Sequence, residues 1–515
     1  MQFIVQANGQ PVHVGPEAVV LEGDAWDDFH YRTSFTLWYR NLTEVRNLGY
    51  VKVAVARQDV GPSPLQPGVY DGPPIGELLS LGQSDLYYDN IRKLGTAQRI
   101  EILEGLGDLA YNLSHFEAAR SYEVTRTSLL RGVEEQTVKV QYHRIAHGGV
   151  RLSEYRFSYH RANQDADVTL HFAVDPEAQP SSNVHVVIGR NGVGKTTLLR
   201  HLASAVVRPD RQEVYGHVTM SPTSTSPVGE RFINVVAVTF SAFDPFIVVS
   251  PLTPTDSPLP SGAVGYAYVG LNFPIPPNGG MEPSPHERLW LDFHEALQQV
   301  ARSGNFLPWR EAMLTLSRDP QFADCAMASY ARNMRAGMKI KPSDLNELST
   351  AFRRLSSGHG IVVLTMTHLV NRVAEKSLVL VDEPETHLHP PLLASFVQAL
   401  NNLLTARNGV AIMATHSPVV LQTVPRSCVY KLIRHGESIR AERPQIETYG
   451  ENVGVLTHEV FGLEVMQSGF YEEIAKAVAR FDSYTEILAH FSGQLGSEAK
   501  GLVHVLLADK THGQA

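Results

Sequence analysis

The stretch that most constrains this chain is Gly189-Arg190-Asn191-Gly192-Val193-Gly194-Lys195-Thr196. It lies between the apolar run Val184–Ile188 and the helix-forming run Thr196–Val206. The spacing fits G-x-x-x-x-G-K-[ST], in which a strand, a glycine loop and a helix follow one another. Glycines let successive backbone N–H groups turn inward around an anion, and the helix adds the positive end of its dipole. Residues Gly189 to Thr197 are therefore the expected phosphate cradle. In it Lys195 reaches the outer phosphates and the Thr196 hydroxyl is placed to ligate Mg²⁺.

Such a loop belongs to an α/β fold with a parallel sheet, so further buried strands ending in polar residues are expected. Ser377–Glu383 (SLVLVDE) is one, an apolar run closed by two carboxylates. Asp382 is expected in the Mg²⁺ shell, and Glu383 is placed to orient or deprotonate an attacking water. Ala411–Pro418 (AIMATHSP) is another and ends in His416. Before both comes Leu355-Ser356-Ser357-Gly358-His359, opening a helical segment.

Composition narrows the class. The 515 residues carry a formal charge of −9, with 43% hydrophobic and 19% charged residues, which fits a globular chain of several units and argues against coating nucleic acid by bulk charge. Two cysteines, Cys325 and Cys428, are too few and too isolated for a disulfide framework or a zinc site and fit a reducing compartment. The N-terminal residues lack the pattern of a signal peptide, and no run of about 18 apolar residues occurs. A cytoplasmic protein without a membrane span is expected.

Strands are expected at 35–40, 51–55, 138–142, 155–159, 168–172, 184–188 and 234–240, with a helical stretch over 75–131 and ten prolines between 245 and 285. The expected organisation is 1–74, N-terminal strands of a β lobe; 75–131, a helical insertion; 132–250, the rest of that lobe and the phosphate-loop core; 251–360, a Pro-rich segment and helical lobe; 361–435, the core carrying Asp382 and His416; and 436–515, a helical tail for partners or oligomerisation.

Taken in order, the motifs resemble those of the ABC-type ATPases. Gly189–Thr196 matches Walker A, Leu355–His359 (LSSGH) the signature LSGGQ, VDEPETHLHP the Walker B strand and D-loop, and His416 the switch histidine. The resemblance implies an antiparallel β lobe beside an α/β core with a helical signature lobe. It also implies ATP and Mg²⁺, and a dimer in which Ser356 and Gly358 of one chain cap ATP held by the other. Lys195, Glu383 and His416 are then the catalytic set. One motif departs: Ser241 stands where the family has glutamine, with Asp244 nearby. The residue that stacks on adenine is left open among Phe157, Tyr159 and the N-terminal aromatics.

Within that superfamily DEPETHLHP and ATHSP resemble the OLD-like ATPases. After His416, however, only Asp482 and Asp509 remain, so no Asp-x-Asp nuclease pair is present. Glu447–Glu464 and SAFDPF resemble the ATPase subunit of the Septu anti-phage system, which implies a separate HNH-type nuclease as partner and DNA contact through the complex. Two other readings compete: a nucleotide-dependent scaffold with little turnover, and a RecF-like DNA-repair ATPase. The basic residues Arg353, Arg354, Lys431, Arg434, Arg440 and Arg443 fit solvated surface or ion pairs better than a DNA face.

Overall fold

In the computed structural model, sixteen strands among the described residues sort into three sheets according to how their apolar residues are spaced. The described residues are 1–24, 30–56, 58–61, 63, 65–74, 77–149, 152–163, 166–223, 231–240, 264–270, 285–302, 305–334, 341–435, 438–461 and 469–512.

The first sheet comprises β1 (Gln2–Gln6), β2 (Ala18–Gly23), β3 (Ser34–Arg40), β4 (Val45–Val55), β5 (Gly68–Asp71) and β6 (Leu78–Gly82), in the order β5-β1-β2-β3-β4-β6. Only β1 and β2 pair in parallel. Helices Asp85–Arg92, Thr96–Gly105 and Leu113–Ala119 share its core, which joins Phe3, Leu37 and Val53 to Tyr88, Leu103 and Ile145.

This corrects two expectations. Residues up to Ala146 form a unit with its own core, rather than β-lobe strands interrupted by an insertion over 75–131. Within that range Leu78–Gly82 is a strand, whereas the expected strand Val138–Tyr142 is helical. Val138 and Tyr142 lie four residues apart, both buried, with the Tyr142 ring 4.8 Å from that of Tyr88. Tertiary packing of one helical face overrides the strand preference of the β-branched residues.

The second sheet, β7 (Tyr155–Asn163), β8 (Ala166–Val174) and β10 (His217–Ser221), is antiparallel in the order β10-β7-β8. Tyr155, Phe157 and Tyr159 alternate inward while Arg156, Ser158 and His160 face outward, as in a sheet with one solvated face.

The third sheet holds β9 (Val184–Ile188), β11 (Asn234–Thr239), β12 (Gly265–Gly270), β13 (Ser377–Asp382), β14 (Val410–Thr415), β15 (Val429–His435) and β16 (Ser438–Glu442). Its order is β12-β11-β13-β14-β9-β15-β16, parallel except for β16. All residues of β9, β11, β13 and β14 are buried because both faces are covered. Val379 and Val381 face the helical lobe, whereas Leu378 and Leu380 face helix Lys195–Val207 and the antiparallel sheet. The helical lobe includes Pro285–Arg302, Phe306–Leu316, Pro342–Phe352, Ser357–Arg372 and Pro390–Arg407. Strand and helix content together make this a mixed α/β fold with a largely parallel sheet covered on both faces.

A buried polar knot ties the N-terminal unit to this core. Arg144 donates twice to Glu375, at 2.8 and 2.7 Å, and Ser153 Oγ and Asn408 Nδ2 donate to the same carboxylate at 2.9 and 3.1 Å. At the other end, helices Gly469–Arg480, Tyr484–His490 and Ser497–His512 close a small core around Ile474, Ile487 and Val503. No helix among the described residues is long and apolar enough to cross a membrane.

Candidate nucleotide and catalytic site

Parallel pairing brings the C-terminal ends of β9, β13 and β14 to one edge of the sheet, where open α/β folds bind ligands. β9 leads into the glycine loop, β13 into Glu383, and β14 into His416. His185 within β9 is neutral, its pKa pushed down to about 3 by burial.

The loop's glycines have separate reasons to be glycine. A Cβ on Gly189 would stand 2.7 Å from the carbonyl oxygen of Leu432. Gly192 and Gly194 have φ of +76° and +104°, which side chains disfavour. Arg190, Asn191 and Thr197 are exposed at the rim and Val193 is buried beneath. Helix Lys195–Val207 begins on Gly194, so its first N–H groups face the loop.

Lys195 is 4% exposed, and its Nζ donates to the carbonyls of Gly189 and Arg190, both at 3.1 Å. The same Nζ lies 3.7 Å from Glu383 Oε1. Thr196 Oγ1 donates to Asp382 Oδ2 at 2.8 Å, across 186 residues of sequence. A hydroxyl and a carboxylate so juxtaposed form a hard oxygen donor pair, which fits Mg²⁺. His416 Nδ1 stands 3.9 Å from Glu383 Oε1 and 3.0 Å from Glu385 Oε1. Six of the expected residues from distant segments thus converge: Gly189, Gly194, Lys195, Thr196, Asp382 and Glu383, with His416 beside them.

Two features of this edge escape sequence reasoning. Glu383 adopts φ 44°, ψ 57°, the left-handed region, where a non-glycine residue is strained. Glu385 is the second: its Oε1 accepts from Thr415 Oγ1 at 2.7 Å and His416 N at 2.6 Å, fixing the turn that carries the histidine. Its place in the DEPE run was the available signal.

The signature segment lies elsewhere on the chain's surface. Ser356 caps helix Ser357–Arg372, and Ser356 and Ser357 are exposed. A Cβ on Gly358 would meet the His387 carbonyl oxygen at 2.6 Å, so the signature is packed onto the D-loop segment of its own chain.

Phe157 and Tyr159, 1% and 0% exposed, face the core and are removed from the candidates for base stacking. The N-terminal aromatics Tyr31, Phe35 and Tyr39 are core residues of the first sheet's unit. The space beside the loop, about 190 Å³, is instead lined by Arg161, Val168, Val193, Leu432, Arg434 and Ile439. Ser241 and Asp244 lie outside the described residues. Of the basic residues considered for DNA, Arg353 stacks 4.0 Å over Trp290, Arg443 stacks 3.6 Å over Tyr430, and Lys431 pairs with Glu459 at 3.2 Å.

A family model described as "AAA domain, putative AbiEii toxin, Type IV TA system" matches residues 326–422, which span the signature, β13 and β14. Solved structures with similarity include MJ1267, an ATP-binding cassette of an ABC transporter, in its ADP conformation. It is 10% identical with a TM-score of 0.28, covering 61% of this chain and 96% of that one. A nucleotide-free ATP-binding cassette from an ABC transporter gives 13% identity and a TM-score of 0.27, over 60% and 95% of the two chains. Among curated proteins, protein ea59 of Escherichia phage lambda is 36% identical over 529 aligned residues, 99% of each chain, and this chain belongs to the ea59 family.

Proposed function

We propose that this chain binds ATP with Mg²⁺ and hydrolyses it to ADP and phosphate within a dimer closed around the nucleotide. The observation that carries the reading is the convergence of Lys195, Thr196, Asp382, Glu383 and His416 on one sheet edge. In this reading backbone N–H groups of residues 190–196 cradle the phosphates, and Lys195 exchanges its loop carbonyls for the outer phosphate oxygens. Thr196 and Asp382 hold the Mg²⁺, which neutralises charge on the phosphates when bound. Glu383 accepts a proton from the attacking water, and His416, held by Glu385, contacts the terminal phosphate. Arg161, Arg434 and the apolar wall of Leu432 and Ile439 take the base. Ser356 and Gly358 of a second copy cap the site from outside, which suits the exposure of Ser356 on the first.

The same reading extends to an ATPase subunit that controls a separate HNH-type nuclease in anti-phage defence. Its supports are the lack of a nuclease Asp-x-Asp pair after His416 and the Septu-like tail. Nucleotide can switch a partner only if that partner prefers one nucleotide state over the other. Glu383→Gln is expected to lower phosphate release by at least ~10²-fold while ATP binding persists. Unchanged turnover would overturn the mechanism, and DNA cleavage by the chain alone would overturn the division of labour.

A further inference from the structure

One cluster of ligand-type side chains lies apart from the phosphate loop. Asp319 caps helix Pro320–Ala323, its Oδ1 accepting from Phe322 N at 2.8 Å. His359 stands in the first turn of the signature helix, and His389 caps helix Pro390–Arg407. We propose that Asp319, His359 and His389 form a binding site for a divalent transition-metal ion of the zinc type, locking the signature and the D-loop segment to the helical lobe.

Three observations carry this. His359 Nε2 lies 3.6 Å from Asp319 Oδ1, and His389 Nε2 3.5 Å from Asp319 Oδ2, with one ligand atom from each residue lying within 4.8 Å of the others. Those separations exceed the ~2.7–2.9 Å of a charge-assisted hydrogen bond. They approach the edge of roughly 3.4 Å expected between ligands bound tetrahedrally at ~2.0–2.1 Å. Second, His359 is 8% exposed, yet its Nε2 finds no hydrogen-bond partner among the described residues. Third, the other nitrogen is already held: His359 Nδ1 lies 2.9 Å from Ser356 Oγ. A proton on Nδ1, donated to Ser356, leaves the Nε2 lone pair aimed at the cluster, as outer partners of metal-bound histidines do.

His389 completes the site from outside. Its side chain is 41% exposed, so the cluster has an entry path and room for water as a fourth ligand. Binding through Nε2 places the proton on Nδ1, which gives up the 3.4 Å approach of Leu392 N–H, a contact beyond ordinary hydrogen-bond length. Two imidazoles and one carboxylate favour zinc, cobalt or nickel over Mg²⁺, so this site is chemically distinct from the Thr196–Asp382 pair. The inference does not depend on ATP hydrolysis.

The test titrates the chelator-stripped full chain with Zn²⁺ against a chromophoric chelator in millimolar Mg²⁺, and separately with Co²⁺ while reading visible absorbance. One equivalent of tightly bound Zn²⁺ and an intense tetrahedral Co²⁺ spectrum are expected, both lost on acidification as the imidazoles protonate. His389→Ala, at an exposed position, and Asp319→Asn, which keeps a capping side chain, are each expected to weaken Zn²⁺ by at least ~10-fold. Absence of stoichiometric uptake, or uptake equally tight in both variants, would overturn the proposal.

Discussion

Gly358 and Gly360 stand two residues apart in the signature helix and offer a matched test of the proposed dimer chemistry. A Cβ on Gly358 would lie 2.6 Å from the His387 carbonyl oxygen, whereas on Gly360 the nearest atom, Phe352 Cζ, is 3.7 Å away. Ordinary contact begins at 3.4 Å, so Gly358→Ala must move backbone against backbone by about 0.8 Å, whereas Gly360→Ala moves nothing. Both substitutions favour the helix, by up to ~1 kcal/mol at an interior position. A misplacement of about 1 Å at a reacting geometry can cost ~10²-fold in rate. Steady-state phosphate release, equilibrium ATP binding and thermal unfolding of both variants make the assay. Gly360→Ala is expected to keep turnover and to melt at or above the parent. Gly358→Ala is expected to lose ~10²-fold in turnover while single-chain ATP affinity holds, since residues 189–197 are untouched. Parental turnover in Gly358→Ala, or an equal loss in Gly360→Ala, would refute the reasoning.

Arg144→Ala strands the Glu375 carboxylate, 1% exposed, with Ser153 and Asn408 as its remaining side-chain donors among the described residues. Breaking such a pair costs about 3–5 kcal/mol, here towards the lower end because two donors remain. The expected readout is a fall in the first thermal transition, partly recovered by adding Glu375→Gln, and a variant melting with the parent would contradict it. Asp108 is fully buried, and desolvation raises its pKa to about 7 against hydrogen bonds from Tyr111, Tyr88 and Ala110. It binds its proton more tightly folded than unfolded, so its contribution to stability is fully present below the ordinary aspartate value of 3.8 and lost as pH rises through about 7. Asp108→Asn keeps the acceptor for Ala110 and Tyr111 and is expected to flatten the decline in melting temperature over that window. An unchanged pH profile would show that Asp108 does not carry it.

The site was more legible in the sequence than the surrounding architecture, for a physical reason. Phosphate binding fixes residue types at fixed spacing, so Gly189–Thr196 announces a strand, a loop and a helix together. The apolar runs of β9, β13 and β14 are buried on both faces and stand out for the same reason. The first sheet's unit is not legible in the same way, because local pattern does not say which sheet a strand joins. Val138–Tyr142 reads as β-branched and aromatic, but its burial against Tyr88 is decided by residues fifty positions away. Glu383's left-handed backbone and the bonds of Glu385 to Thr415 and His416 arise only when β13 and β14 lie side by side. Asp319 gave no signal at all, since it is far in sequence from both histidines it faces.

The charge layout of the sheet edge suggests how the proposed site avoids acting before its substrate arrives. Asp382, Glu383 and Glu385 bring three carboxylates beside the single ammonium of Lys195. At the 3.7 Å separating Lys195 Nζ from Glu383, opposite charges attract by about 4 kcal/mol at the effective dielectric of a protein surface. While that contact stands, the Glu383 carboxylate is held towards the lysine. A triphosphate competes for the same ammonium with more charge than one carboxylate can offer, and Mg²⁺ at Thr196 and Asp382 offsets the repulsion that it would meet from the acidic edge. On the proposed reading, the arrival of nucleotide therefore releases the base that later acts on it. The strained backbone at Glu383 fits this, because a residue held in the left-handed region by its neighbours keeps its carboxylate aimed at the loop when the lysine turns away.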